Sequence, residues 1–243
     1  MTEEHQQTVP SDDVAPSGEL DDAPANARIK NDGDGEATNN AEFQTLEYWD
    51  RRYRAKAAQG EQVFEWFKGY EEIRDTLTEL IPDRNARILM LGCGNSGLSA
   101  DMVADGYSNI TNLDFSTVVI EQMKEQHPGQ DWRVMDVREL KEHADELGGE
   151  GSWDVIIDKG TLDALMAEKG SVWAPSDAVL ANVAAEIDGV LALLKPSTGR
   201  FLYLTFGQPH FRRPHLEREG RWTIEVRTTG DMFHYFWFIG RKS

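Results

Sequence analysis

The sequence predicts an α/β fold with a doubly wound, mostly parallel sheet of seven strands that ends in an antiparallel hairpin. Three features predict it. Short apolar runs alternate with helical segments between residues 87 and 206. The first run opens into a glycine-rich turn, and two extended runs close the chain with only a short turn between them. Apolar strands alternating with helices imply a parallel sheet covered on both faces, and right-handed crossovers wind it in two directions.

The elements follow in order. Residues 1–40 carry ten acidic and two basic side chains and almost no large apolar ones. Such a stretch cannot bury enough surface to offset its ordering entropy, so a disordered acidic leader is expected. The folded domain is then 41–243. Eight aromatics fall between Phe43 and Tyr70, and Tyr48, Trp49, Arg52 and Tyr53 share a helical face. This density ahead of the main fold suits a lid with stacking surfaces over 41–82, although core packing would explain the same spacing. Within it, residues 70–80 form an amphipathic helix through Ile73, Leu77 and Leu80, stopped by Pro82.

Strands are expected at 87–92, 110–115, 132–137, 153–158 and 200–206, with helices at 97–105, 117–127, 138–147 and 176–194. Residues 148–151 form a glycine-rich loop. The runs 221–228 and 232–239 make the closing hairpin. The strand–helix rhythm makes the sheet Rossmann-like; its antiparallel end is not the usual dehydrogenase layout.

Charge and composition narrow the function. The chain has 243 residues and a formal net charge of −18. Such a field does not attract phosphate backbones, so direct nucleic-acid binding is not expected; a basic protein or a cationic small molecule fits better. A single cysteine excludes an internal disulfide and a cysteine-based zinc cluster. No run approaches the ~20 apolar residues of a membrane span, and the MTEEHQQ start is neither a secretory signal nor a transit peptide. A cytoplasmic protein is expected.

Three successive strand ends carry the chemistry, and a fourth, ending in Asp158-Lys159, converges on the same site. Gly92-Cys93-Gly94-Asn95-Ser96-Gly97 is G-x-G-x-x-G after a strand and before a helix; its glycines permit a sharp turn and close approach to a ligand, and free N–H groups there suit an anion. Cys93 reads as a packing residue, since no base lies beside it. Asp114, ~20 residues on, ends the second strand where an acid can bind both ribose hydroxyls. Asp136 ends the third, and its carboxylate with the Val137 N–H would match the exocyclic amine and ring nitrogen of adenine. A dinucleotide suits the first two features equally. The third acid, the hairpin and the aromatic segment favour S-adenosylmethionine, whose sulfonium suits aromatic faces and acidic surroundings.

The stretches EYWDRRY (47–53), FEWF (64–67), ILMLGCGNSGLS (88–99), NLDFSTVVI (112–120), MDVREL (135–140), WDVIIDKGTLDAL (153–165) and PHFR (209–212) resemble class I methyltransferases, and among them the branch that modifies lysines of translation elongation factor 1A. The resemblance runs from about residue 43 to the end. It implies a protein-lysine N-methyltransferase using S-adenosyl-L-methionine, with elongation factor 1A as protein substrate. It also implies cofactor contacts from Trp49, Tyr53, Trp66, Gly92, Asp114, Phe115, Asp136, Val137 and Lys159. No residue is assigned as catalytic and no metal is expected.

Asp158, Tyr203, His210 and His234 are titratable residues expected near the acceptor, each with a structural alternative: Asp158 could cap a turn, and the histidines could sit in loops or the sheet. The pair Arg212-Arg213 reads as solvated, with docking as the sharper alternative. Three rivals remain at this point: a small-molecule methyltransferase, an NAD-dependent oxidoreductase, and a non-catalytic binding module on the same fold.

Overall fold

The computed structural model describes residues 35–169, 174–230 and 232–243. Seven strands, β1 (Ile88–Leu91), β2 (Ile110–Asp114), β3 (Asp131–Val134), β4 (Val155–Lys159), β5 (Arg200–Thr205), β6 (Trp222–Thr229) and β7 (Tyr235–Lys242), form one sheet in the order β3-β2-β1-β4-β5-β7-β6. The first five are parallel, as expected. β7 runs antiparallel between β5 and β6. Its position follows from composition: Trp237, Phe238 and Ile239 are buried and need cover on both faces. β6 alternates polar and apolar residues and carries the charged Glu225 and Arg227, which blunt the exposed edge.

Alternate strand residues feed two cores. Ile88, Met90, Val155, Ile157, Leu202 and Leu204 pack under α2 (Tyr70–Leu80), α3 (Leu98–Ala104) and α4 (Thr117–Gln126), through Ile73, Leu77, Met102, Ile120 and Met123. Leu89, Leu91, Ile156, Phe201 and Tyr203 pack on the other face against Val183, Ile187 and Val190 of α6 (Asp177–Leu193). The two-residue strand period and the helical stripes meet without conflict. Of the expected lid, α1 (Leu46–Ala58) and the segment after it stand above the sheet edge, whereas α2 belongs to a core layer.

Several expectations are corrected. The helix expected at 138–147 is two 3-10 turns, Val137–Glu139 and Ala144–Leu147. A Cβ at Gly189 of α6 would lie 2.7 Å from Leu140 Cβ, so this stretch is pressed against the α6 backbone and packing overrides helix propensity. The third strand ends at Val134, leaving Asp136 two residues beyond it. The last strand begins at Tyr235, because Met232–His234 belong to the turn around Gly230, whose φ is +94°. Two short helices escaped the periodicity: α5 (Thr161–Leu165) and α7 (Pro209–Leu216).

Residues 1–34, most of the expected leader, lie outside the described residues. From Gly35 the chain is packed: Ala37 is buried, and Glu36 pairs with Arg52 at 2.9 Å and Lys56 at 3.0 Å. Among the described residues no helix is long and apolar enough to cross a membrane.

Asp158 and Glu186 are both wholly buried. Asp158 caps α5, accepting the N–H groups of Thr161 (3.1 Å) and Leu162 (3.0 Å), which realises the structural alternative for this residue. Burial pushes its carboxyl up to about 7 against those bonds. Burial and the adjacent Asp158 push Glu186 well above the usual carboxylate range. A carboxyl whose folded pKa is raised stabilises below its unfolded pKa and loses that contribution as pH rises through the folded value. Glu186→Gln, neutral at every pH, is therefore expected to change the melting temperature little at pH 5. At pH 8 it should raise the melting temperature, in paired thermal melts.

Candidate active site

The carboxyl ends of β1, β2 and β4, the turn after β3, α1 and the segment following it surround one cavity of about 750 Å³. All nine residues expected to contact a cofactor line it: Trp49, Tyr53, Trp66, Gly92, Asp114, Phe115, Asp136, Val137 and Lys159. Parallel strands put their carboxyl ends on one edge, and sequence-distant residues meet there.

The glycine turn is shaped by the protein's own groups. Gly92 has φ +53°, and a Cβ there would lie 2.0 Å from Thr161 Oγ1 of α5. Gly94 has φ +52°, and its Cβ would approach Tyr53 Oη at 3.0 Å. The N–H of Gly94 donates to Asp114 Oδ2 at 2.9 Å, and that of Ser116 to Asp114 Oδ1 at 2.9 Å. The Gly97 N–H, expected to face a ligand anion, donates to Glu65 at 2.6 Å. The glycines thus supply curvature and close approach more than free donors. Cys93 is buried and its thiol is pushed up by burial, so it stays protonated and packs as a small side chain, as expected.

The acids differ in how they are balanced. Asp114 is 4% exposed; burial pushes it up to about 6 while its two N–H partners restrain the rise. Asp136 does not stand free for an exocyclic amine: it accepts the Arg138 N–H at 2.9 Å and forks with the Arg138 guanidinium. Burial opposes its charge, but Arg138 prevails and holds it below the usual range. Lys159 turns its Nζ to Glu65 and the Trp66 carbonyl, each at 2.9 Å.

The aromatic segment forms one wall. Trp49 stacks on Tyr53 at 5.7 Å and meets Trp66 edge-on at 6.1 Å, and its Nε1 donates to the Phe43 carbonyl. A second ring series, Phe206–Phe67–Tyr235–Phe233, has centroids 5.3–5.7 Å apart and also lines the cavity. Met232, fully exposed, stands beside it.

Of the four acceptor-side candidates, His234 alone lines the cavity. His210 packs against Phe211 with ring centroids 4.0 Å apart. Tyr203 is buried behind the wall and donates to Asp163 at 3.0 Å. Arg212 is not solvated: its side chain is 12% exposed, and it donates to Asp163 at 2.8 Å and Tyr203 at 3.2 Å. Arg213 is exposed and pairs with Glu217. Sequence reasoning missed Glu65, Phe67, Asp163 and Arg212 as lining residues. Glu65 and Asp163 sit inside quoted stretches, FEWF and DKGTLDAL, but no spacing rule separates them from their neighbours.

No protein-family model matches the chain. Solved structures of similar fold include a TehB-like SAM-dependent methyltransferase from Corynebacterium glutamicum (TM-score 0.52, 16% identity, 82% of this chain and 98% of that one). Magnesium protoporphyrin IX methyltransferase from Synechocystis, solved with bound SAM, has a TM-score of 0.50 at 13% identity, covering 85% of this chain and 99% of that one. The [4+2]-cyclase SpnF has a TM-score of 0.54 at 12% identity, covering 85% of this chain and 97% of that one, so the fold by itself does not set the reaction. Strand order, glycine turn and acid-bearing edge around one cavity give this chain the class I methyltransferase fold.

Among curated proteins, mouse EEF1A lysine methyltransferase 4 is 36% identical over 208 residues, 84% of this chain and 77% of that protein. Human eEF1A lysine and N-terminal methyltransferase is 34% identical over 193 residues, 76% of this chain but 25% of that longer protein. The chain belongs to the eEF1A lysine methyltransferase family, and the oxidoreductase reading falls.

The Gly92–Thr161 contact makes a direct prediction. Gly92→Ala should destabilise by about 1–3 kcal/mol through the positive φ and the clash. Thr161→Ala in the same chain should recover part of that loss, and a double-mutant cycle by denaturant unfolding measures the coupling.

Proposed function

We propose that this chain is an S-adenosylmethionine-dependent protein-lysine N-methyltransferase that acts on translation elongation factor 1A, in the cytoplasm, where a single cysteine suits the reducing conditions. The observation that carries the reading is the convergence of Gly92, Asp114 and the aromatic segment on one cavity in a chain of this family.

The residues fit the cofactor. Each Asp114 oxygen accepts one N–H, which leaves a lone pair on each for a ribose hydroxyl. At Gly92 and Gly94 side chains would crowd Thr161 and Tyr53, so glycine lets the turn curl tightly beside the cavity. Phe115 and Val137 offer apolar surface for a base, and the Val137 N–H a donor to its ring. Trp49, Tyr53 and Trp66 offer ring faces to a cation. Lys159 acts by holding the segment that carries Trp66. When bound, S-adenosylmethionine supplies a methyl group activated by a sulfonium.

The chain's own work is binding, orientation and exclusion of water. A lysine acceptor must be neutral at Nζ; from a reference pKa of ~10.4, deprotonation near pH 7 costs about 4–5 kcal/mol. The ring series Phe206–Phe67–Tyr235–Phe233 gives the lysine stem an apolar path, and desolvation along it lowers the Nζ pKa. Asp163 has a structural part here: its oxygens already accept from Tyr203, Thr205 and Arg212. The elongation factor as substrate is supported by the activity for which the relatives are named.

Incubation of the full chain with S-adenosylmethionine and purified elongation factor 1A, followed by peptide mass spectrometry, should show methyl groups added at a lysine. Methylation of small molecules alone, or of no substrate in a cell extract, would overturn the assignment. Cofactor binding carries its own signature. Asp114 must be ionised to accept from ribose, so the S-adenosylhomocysteine Kd should rise as pH falls through about 6. In Asp114→Asn the Kd should be roughly tenfold or more weaker at pH 8, from a lost charged hydrogen bond of ~1.5–3 kcal/mol, and that pH dependence should vanish.

A further inference from the structure

Between α1 and α2 the chain crosses the cavity without regular structure, and one carboxylate in that crossing gathers donors from two other parts of the fold. Glu65 accepts from Ser96 Oγ at 3.0 and 2.8 Å, from the Gly97 N–H at 2.6 Å and from Lys159 Nζ at 2.9 Å. Lys159 also donates to the Trp66 carbonyl at 2.9 Å. Two lighter ties run the same way, Phe64 N–H to the Asn95 carbonyl at 3.2 Å and Asn95 Nδ2 to the Gln62 carbonyl at 3.4 Å. The Lys159 side chain is 7% exposed and that of Glu65 26%, so the ion pair is largely shielded from solvent and salt.

The next residue but one shows that the tether constrains the backbone. Phe67 has φ +68°, the left-handed region that a bulky side chain adopts only where its surroundings over-determine it. Its ring lies against Gly160, where a Cβ would come within 3.1 Å. Segment 64–67 is thus held at one end by Glu65 and Lys159 and pressed at the other onto the residue that follows Lys159.

We propose that Glu65 is a positioning residue for the cofactor site: its carboxylate latches the Phe64–Phe67 strap to the glycine turn and to Lys159, and so sets how Trp66 and Phe67 stand over the cavity. The inference rests on the reading of the cavity as the cofactor site. A ligand as large as a nucleoside with an amino-acid tail enters or leaves by releasing this strap, and the latch therefore governs residence time more than the chemical step.

Hydrogen exchange on the free protein tests the latch without any ligand. In Glu65→Ala, amides of residues 61–69 should exchange at least tenfold faster while β1 and β4 keep their protection. Glu65→Gln, which keeps hydrogen bonds but not the charge, should fall between Glu65→Ala and the parent chain. S-adenosylhomocysteine should dissociate at least fivefold faster from Glu65→Ala, and at saturating S-adenosylmethionine kcat should stay within about twofold while the cofactor KM rises. Unchanged exchange in 61–69 would overturn the latch, as would acceleration spread equally over β1 and β4. Faster exchange with unaltered dissociation would overturn its role at the cavity. If the parent chain binds no S-adenosylhomocysteine, the cofactor reading fails, and the proposed role with it, while the exchange data still decide whether the strap is latched.

Discussion

A carboxylate buried at the end of a central strand must be satisfied by something, and at Asp114 the partners are backbone N–H groups of the two turns that flank the cavity. Gly94 and Ser116 give it one hydrogen bond each. Their cost of desolvation is met within the protein, and the curl of the glycine turn is set before any ligand arrives. Gly92 lies against Thr161 and Gly97 against Glu65 in the same manner. Each fixed point in the turn touches a different element, so the cavity wall is assembled by the sheet, α5 and the crossing strap together. Preorganisation of this kind is what methyl transfer asks of a protein, since the reaction depends on alignment more than on acid–base chemistry.

The same sheet edge collects several acids, and the structure neutralises them by different means. Asp136 takes a guanidinium and an N–H from Arg138. Asp158 caps α5, and Glu186 behind it is held protonated by burial and by Asp158. Asp163 is bound by Arg212, Tyr203 and Thr205. Buried charges are tolerable only when paired, capped or protonated. The result is an edge rich in carboxyl groups whose charges are mostly spoken for, with Asp114 the acid that keeps open lone pairs toward the cavity. A ligand that presents hydroxyls and carries a positive centre meets complementary surfaces on Asp114 and on the aromatic rings.

Aromatic residues do two jobs that the sequence did not separate. Tyr48 is a core side chain of α1, buried to within a few per cent, whereas Trp49, Tyr53, Trp66 and Phe67 line the cavity. Arg52, buried on the same helix, lies over Phe64 at 5.0 Å and Trp66 at 5.5 Å and pairs with Glu36. The helix is therefore fastened to residues that precede it as well as to the strap that follows it, and the expected boundary between leader and domain at residue 40 runs through packed chain.

What the sequence determined by itself is whatever depends on local periodicity and strand polarity. Apolar runs such as Ile88–Leu91 had to be buried on both faces, the glycines of 92–97 had to turn after the first of them, and Asp114 had to stand at the same edge because parallel strands all end there. That reasoning reached Gly92, Asp114, Asp136 and the Val137 N–H; Trp49, Tyr53, Trp66, Phe115 and Lys159 came from likeness of motif, and all nine line one cavity. Tertiary structure decided the rest. Gly189 let Leu140 press onto α6 and turned an expected helix into 3-10 turns. Arg212 left solvent for Asp163, and Glu65 and Lys159 met across 94 residues. Pairings of that kind depend on distances between elements far apart in the chain, which sidedness and spacing along one element do not encode.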